Sequence, residues 1–247
     1  VGDTVNDFST TGIQNALTAN GIGYKTMFSD IGIMQKLSTR VENGETYYYT
    51  GAYCCDFTCI IKSKDLITWE YVAQPNEGAN GTGFDNCTRW ENAVYVVGDK
   101  VYYYVRQWDP LGVASNGSAT TATTNRDEQG SYYGILTAYD LITGEWETPI
   151  LVEDCQSRSD FIMYKGNLYL IYAPTPEAGG SDRQHLGILK IDTNDLSKTE
   201  VVLQAQMKHS CFYPFWQFNS DGELCISYTY NRQQIRLVSI TLSDYLD

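Results

Sequence analysis

The sequence predicts an all-β fold, a β-propeller of about five blades (six as the alternative), each blade four antiparallel strands. Three observations lead there. Strand-forming residues dominate, with 20 Tyr among 247 residues and 13% aromatics. Short hairpins recur around the turn glycines Gly44, Gly98, Gly166 and Gly222, which are 54, 68 and 56 residues apart. A further strand follows each hairpin, and in the first three units it runs into a turn carrying Asp-Leu. Four strands repeated at such a period make one blade, because no single unit can bury its apolar face alone.

The elements follow in order. Residues 11–20 predict one short helix, stopped by Gly21. Residues 24–28 and 31–37 read as extended, and they complete a fifth blade or open the first. The first hairpin turns at Asn43-Gly44 into Tyr47-Tyr48-Tyr49-Thr50. A strand at 57–62, a turn through Asp65-Leu66 and a strand at 70–73 complete the unit. The second unit pairs 92–97 with 101–105, then runs through 134–139 to Asp140-Leu141. The third pairs 161–164 with 168–172, then 186–191, Asp195-Leu196 and 199–203. The fourth contains 215–218, 224–228 and 234–240. A loop of Ser, Thr, Asn and Gly at 108–130 accounts for the longest spacing, and loops of that length usually carry function.

Composition excludes several classes. Seventeen basic residues against 30 acidic ones leave a formal charge of −13. A nucleic-acid binder, or a protein held on an anionic membrane, needs a basic face. No apolar run approaches the ~18 residues of a membrane span. Seven scattered cysteines form no CxxC pair, and two histidines are too few for a metal cluster, so neither metal nor cofactor is expected. No phosphate-cradling loop or GxSxG elbow occurs. The expectation is a single propeller domain over 1–247, starting at Val1 as a mature or cropped product, and secreted or cell-surface/periplasmic.

Short motifs carry a resemblance. Ser63-Lys64-Asp65-Leu66-Ile67-Thr68-Trp69 resembles the Asp-box turn of sialidase blades, with Ile67 in the glycine position. It is also similar to the turn of five-bladed arabinanase- and fructosidase-like glycosidases. In both families that turn is structural. The stretch from Trp90-Glu91-Asn92 through the Gly98 hairpin to Val105-Arg106 resembles the sialidase pattern of Glu, hairpin and Arg. Asp182-Arg183-Gln184-His185 resembles the strand with another carboxylate-binding Arg. Cys211-Phe212-Tyr213-Pro214-Phe215-Trp216 resembles the segment with the tyrosine nucleophile, and Tyr228–Arg236 the last hairpin. Tyr230 stands where the family has a late Glu.

The resemblance implies a glycosidase of terminal acidic sugars. Tyr213 would be the nucleophile and Glu91 its base, with Asp56 as a further catalytic candidate and Arg106 and Arg183 binding the substrate carboxylate. Place in the repeat adds others: Arg40, Arg89, and Arg158 with Asp160 stand at inner positions comparable to Glu91 and Tyr213, and Arg232 at a hairpin end, so Asp160 joins the catalytic candidates and these Arg the carboxylate binders. The chemistry is coherent. A neutral phenol attacks a carboxylate-bearing anomeric centre without repulsion, a carboxylate takes the phenol proton, and Arg forks grip the acid. A rival reading is a carboxylate-dependent glycosidase of neutral pentosides or fructosides using Asp30, Glu91 and Asp160. A third is a non-catalytic glycan-binding module of a larger surface or tail protein. In all three the partner is a glycan.

Overall fold

The computed structural model describes residues 12–21, 32–33, 36–54, 57–75, 87–110, 133–153, 157–174 and 184–241. One short helix, α1 (Gly12–Ala19), precedes sixteen strands among these residues. Gly21 ends it with φ 68°, as a glycine does after a helix. The first sheet holds β1 (Gly32–Ile33), β2 (Ser38–Glu42), β3 (Glu45–Cys54), β4 (Phe57–Ser63) and β5 (Glu70–Ala73). The second runs β6 (Cys87–Val97), β7 (Lys100–Pro110), β8 (Tyr133–Asp140) and β9 (Ile150–Glu153), in that order. The third runs β10 (Asp160–Tyr164), β11 (Asn167–Tyr172), β12 (His185–Ile191) and β13 (Glu200–Gln206). The fourth has β14 (Cys211–Phe218), β15 (Leu224–Tyr230) and β16 (Gln234–Ile240).

These sheets have the antiparallel order of propeller blades, and among the described residues there are four of them rather than about five. The difference lies at the N-terminal side. Of the two places open to the N-terminal segment, a fifth blade or the start of the first, the structure takes the second: Gly32 pairs with Tyr53 and Ile33 with Ala52, and Ser38 resumes opposite Tyr49. β1 and β2 therefore share one edge of β3 in a four-layer blade. Residues 24–28 lie outside the described residues. The strand β7 also continues to Pro110, into the stretch expected to be loop.

Two of the hairpin second strands, β7 and β11, each hold a run buried on both sides. Val101, Tyr102, Tyr103, Tyr104 and Val105 are all buried, as are Leu168 to Tyr172. A strand covered on both faces has no solvent side and reads as a continuous apolar run. Outer strands alternate or lie open: β16 exposes Ile235 and Leu237. The chain divides into two compact units, residues 1–124 with 135–149, and residues 125–134 with 150–247. In the first unit Tyr49, Ile60, Val94, Val101 and Tyr103 form one core. A second core there joins Ile13 and Ala16 of α1 to Ala52, Ile61 and Trp69. In the second unit Ile162, Tyr169, Ile188, Trp216 and Ile226 pack together. Each fully buried Ile or Val among them contributes about 1.5–3 kcal/mol.

The turn after the third strand is built alike in three blades. Asp65 Oδ1 accepts from the N–H groups of Ile67 (2.8 Å) and Thr68 (2.7 Å). Asp140 Oδ1 accepts from Ile142 and Thr143, and Asp192 Oδ1 from Asn194 and Asp195. Ser63 Oγ adds a bond to Thr68 O (2.6 Å), and Trp69 is buried beneath. These carboxylates close turns by satisfying backbone donors. Hydrogen bonds from Ile67 and then Thr68 hold the Asp65 carboxyl down at about 2.

Candidate functional site

Left-handed backbone marks two strand positions. Seven non-glycine residues with positive φ occur among the described residues, and Asn43, Leu66, Lys165, Asn231 and Arg232 belong to turns. The other two, Glu91 (φ 50°) and Tyr213 (φ 51°), lie inside β6 and β14. Each sits in the same kind of bulge. In β6, Trp90 pairs with Arg106 and Ala93 with Tyr104, so Glu91 and Asn92 face Val105 alone. In β14, Phe212 pairs with Thr229 and Phe215 with Ser227, so Tyr213 and Pro214 face Tyr228 alone. A bulge re-aims a side chain at the edge of a sheet. A bulky residue held left-handed costs about 1–3 kcal/mol, and the surrounding structure must hold it there.

In the first unit, packing does the holding. Glu91 is buried at 4% exposure and Asn92 at 0%. The Asn92 amide donates to Cys59 O at 3.1 Å. Gly51 of β3 leaves room for it: a Cβ there would lie 2.6 Å from Asn92 Nδ2 and Oδ1. The register sets the Arg106 backbone opposite Trp90, one residue from Glu91. Arg89 stands in β6 opposite Gln107.

In the second unit the holding is polar. Tyr213 N–H donates to Ser157 Oγ at 2.8 Å. Trp216 N–H donates to Asp160 Oδ2 at 3.2 Å, and the Trp216 indole donates to Asp160 O at 3.1 Å. Asp160 is buried at 2% exposure. Segment 157–160 therefore anchors the strand that presents Tyr213, and half-buried Arg158 lies within it. The Arg232 guanidinium sits over the Phe212 ring at 5.0 Å. So Tyr213, Asp160, Arg158 and Arg232 belong to one neighbourhood, in which Tyr213 is 41% exposed.

The remaining candidates separate. Arg40 lies against the Gly98 turn, where it bonds Gly98 O (3.1 Å) and pairs with Asp99 and Glu42. Burial opposes the charge on Glu42, but bonds from Lys62, Tyr49 and Arg40 outweigh it and keep the carboxyl below its ordinary value. Burial, and then the Glu42 carboxylate, push the Tyr49 phenol up. Arg40 is thus engaged in a carboxylate network at a turn. Asp30, Asp56 and Arg183 lie outside the described residues. Among the described residues no group of three or more His, Cys, Asp or Glu is arranged to hold a metal ion. Sequence reasoning passed over Ser157 and Asn92, because a lone Ser or Asn has no motif; only the bulge geometry singles them out.

Comparison of the structure with solved proteins bears on this geometry. No protein-family model matches the sequence, and no curated protein matches it either. The fold is a glycosidase-like β-propeller. The NanB sialidase of Streptococcus pneumoniae is similar at a TM-score of 0.53 and 11% identity, covering 87% of this chain and 32% of that one. The xylan β-1,4-xylosidase of Bacillus halodurans is similar at 0.51 and 11%, covering 85% and 40%. The exo-β-1,3-galactanase of Phanerochaete chrysosporium gives 0.52 and 12%, covering 89% and 50%. This chain thus spans between a third and a half of the length of those proteins. Among the described residues no helix is long and apolar enough to cross a membrane, which says nothing of β-barrels.

Proposed function

We propose that this propeller processes glycans bearing a terminal acidic sugar, with Tyr213 as nucleophile and Glu91 as the base that takes its proton. One observation carries the reading. The two residues that the sequence pattern assigns to this chemistry are the two non-glycine residues held left-handed inside described strands. Strain in a strand interior, repeated in two blades, is costly unless the side chain has a task. The similarity to a sialidase supports the substrate class. Arg158 and Arg232 would flank the phenol and grip the sugar carboxylate, as Arg forks do. Asp160 would act as a positioning residue, since its carboxylate already accepts from Trp216.

The assay is hydrolysis of a fluorogenic sialoside beside neutral xyloside and galactoside controls. Tyr213→Phe removes the nucleophilic oxygen and should abolish turnover. Glu91→Gln should lower kcat about 10²–10⁴-fold, the range of general acid–base catalysis. Full activity in Tyr213→Phe would sink the mechanism. Turnover confined to the neutral sugars would favour the second reading, a carboxylate-dependent glycosidase. That reading is favoured by the likeness to the xylosidase and the galactanase.

A further inference from the structure

The second unit carries a cavity of about 460 Å³ beside the β15–β16 turn. That is within the usual range for small-molecule sites, about 300–1,000 Å³. Its walls hold three cationic or cation-capable side chains, Lys208, His209 and Arg236, three amides, Asn231, Gln233 and Gln234, and one ring, Tyr230. Among the described residues no carboxylate lines it. In a chain of net charge −13 that local excess is unusual. The ion pairs elsewhere sharpen the contrast. Arg40, Lys62, Lys64, Lys100 and Lys198 each pair with a carboxylate. Lys208 and Arg236 make no ion pair among the described residues.

The cavity is preorganised. Arg236 Cζ lies 3.5 Å from the centroid of the Tyr230 ring, and His209 meets that ring edge-on at 5.4 Å. A guanidinium held over an aromatic ring still has N–H groups to offer an anion. The turn itself is tied down. Asn231 N–H donates to Ser210 O at 2.7 Å, and Gln233 N–H donates to Tyr230 O at 3.1 Å. The pocket walls are thus held in place before any ligand arrives, which lowers the ordering cost of binding.

We infer that this cavity binds the anionic substituent, carboxylate or sulfate, of a saccharide, at a place separate from Tyr213. The cations take the charged group, and the three amides match the neighbouring hydroxyls. The overall negative charge repels a polyanion as long as nucleic acid and leaves a local, focused attraction for a short acidic glycan. The anion-binding part stands on the cavity alone. The saccharide part rests on the glycan reading above.

The test is calorimetric binding with four probes: a galacturonate hexamer, a sulfated galactose hexamer, the neutral galactose hexamer and inorganic sulfate. At least one charged hexamer should bind tenfold or more tightly than the neutral one, and which does so identifies the anion. In the double variant Lys208→Gln with Arg236→Gln that preference should disappear. Both side chains are exposed, so the fold should survive, as circular dichroism would verify. Equal binding of all three hexamers, or an unchanged preference in the double variant, would overturn the inference. Inorganic sulfate displacing the hexamer at equal concentration would reduce the site to a simple ion site and overturn its saccharide part. Tyr213→Phe leaves the lining of this cavity unchanged, so its effect on sialoside turnover tests the catalytic reading while hexamer binding in the same variant tests the cavity.

Discussion

Gly51→Ala isolates the device that holds Glu91. Gly51 has no positive φ, so alanine suits its backbone, and the constraint is purely steric. The added methyl would lie 2.6 Å from Nδ2 and Oδ1 of Asn92 and 2.7 Å from its Cγ. Asn92 is fully buried, so it has nowhere to retreat without disturbing its neighbours. If it stays, overpacking costs about 1–3 kcal/mol. If it swings away, its bond to Cys59 O is lost and buried polar groups go unsatisfied, again about 1–3 kcal/mol. Either way the cost is roughly 1–3 kcal/mol. At a urea slope of about 3 kcal/mol per M, the unfolding midpoint falls by roughly 0.3–1 M. Tryptophan fluorescence during urea unfolding reads this directly. The same substitution made in an Asn92→Ala background should cost under about 1 kcal/mol, because the clash partner is gone. An undiminished cost in that background would refute the steric account. Since Asn92 is the second residue of the bulge, Gly51→Ala should also impair whatever chemistry Glu91 performs.

Two further outcomes follow from the same geometry. Asp65 titrates at about 2 in the fold against about 3.9 unfolded, so its contribution is complete above pH ~4 and fades as pH falls towards 2. Asp65→Asn should therefore lower the urea midpoint at pH 7 and make little difference near pH 2, and a pH-independent gap would contradict the assignment. Gly187 pairs across from Tyr172, whose buried ring fills the space of the missing side chain. Gly187→Ala should displace that ring, cost about 1–3 kcal/mol and weaken the near-ultraviolet tyrosine signal; unchanged stability would show that the ring has somewhere else to go.

Much of the blade pattern was legible because it is local. Turn glycines, Tyr-rich runs and Asp-containing turns each act within a few residues, so hairpins at Gly44, Gly98, Gly166 and Gly222 could be placed from the sequence. The blade count depends on which strand edges which sheet. That is a long-range choice: the sequence left residues 31–37 open between a fifth blade and the first, and residues 32–33 pair with β3 of the first. The site was legible in part. Glu91 and Tyr213 carried a family pattern, and Arg40 was grouped with them by its place in the repeat. Its partners Asp99 and Glu42 explain its position without any ligand, and Asp99 is 59 residues away in sequence. Lys208, His209 and Arg236 were invisible as a group, since only the β15–β16 turn brings 208–209 beside 236.

The two bulges argue for one further step. Trp90-Glu91-Asn92-Ala93 and Phe212-Tyr213-Pro214-Phe215 share a backbone shape but no side-chain chemistry. One is locked by a buried amide under a glycine, and the other by a serine hydroxyl and a proline. A purely structural need for a bulge would be met most cheaply by glycine at the left-handed position, as at the hairpin turns Gly44 and Gly166. Glu in one blade and Tyr in the other accept that strain, which the proposed catalytic roles would explain. Replacing each by glycine separates the two explanations. Relief of left-handed strain returns about 1–2 kcal/mol. Glycine's extra chain entropy offsets roughly 0.5–1 kcal/mol of that. For exposed Tyr213 the net change should therefore be small or stabilising, while sialoside turnover vanishes. A Tyr213→Gly variant that unfolds readily would show that the phenol ring is there for packing, and would leave the strain unexplained by catalysis.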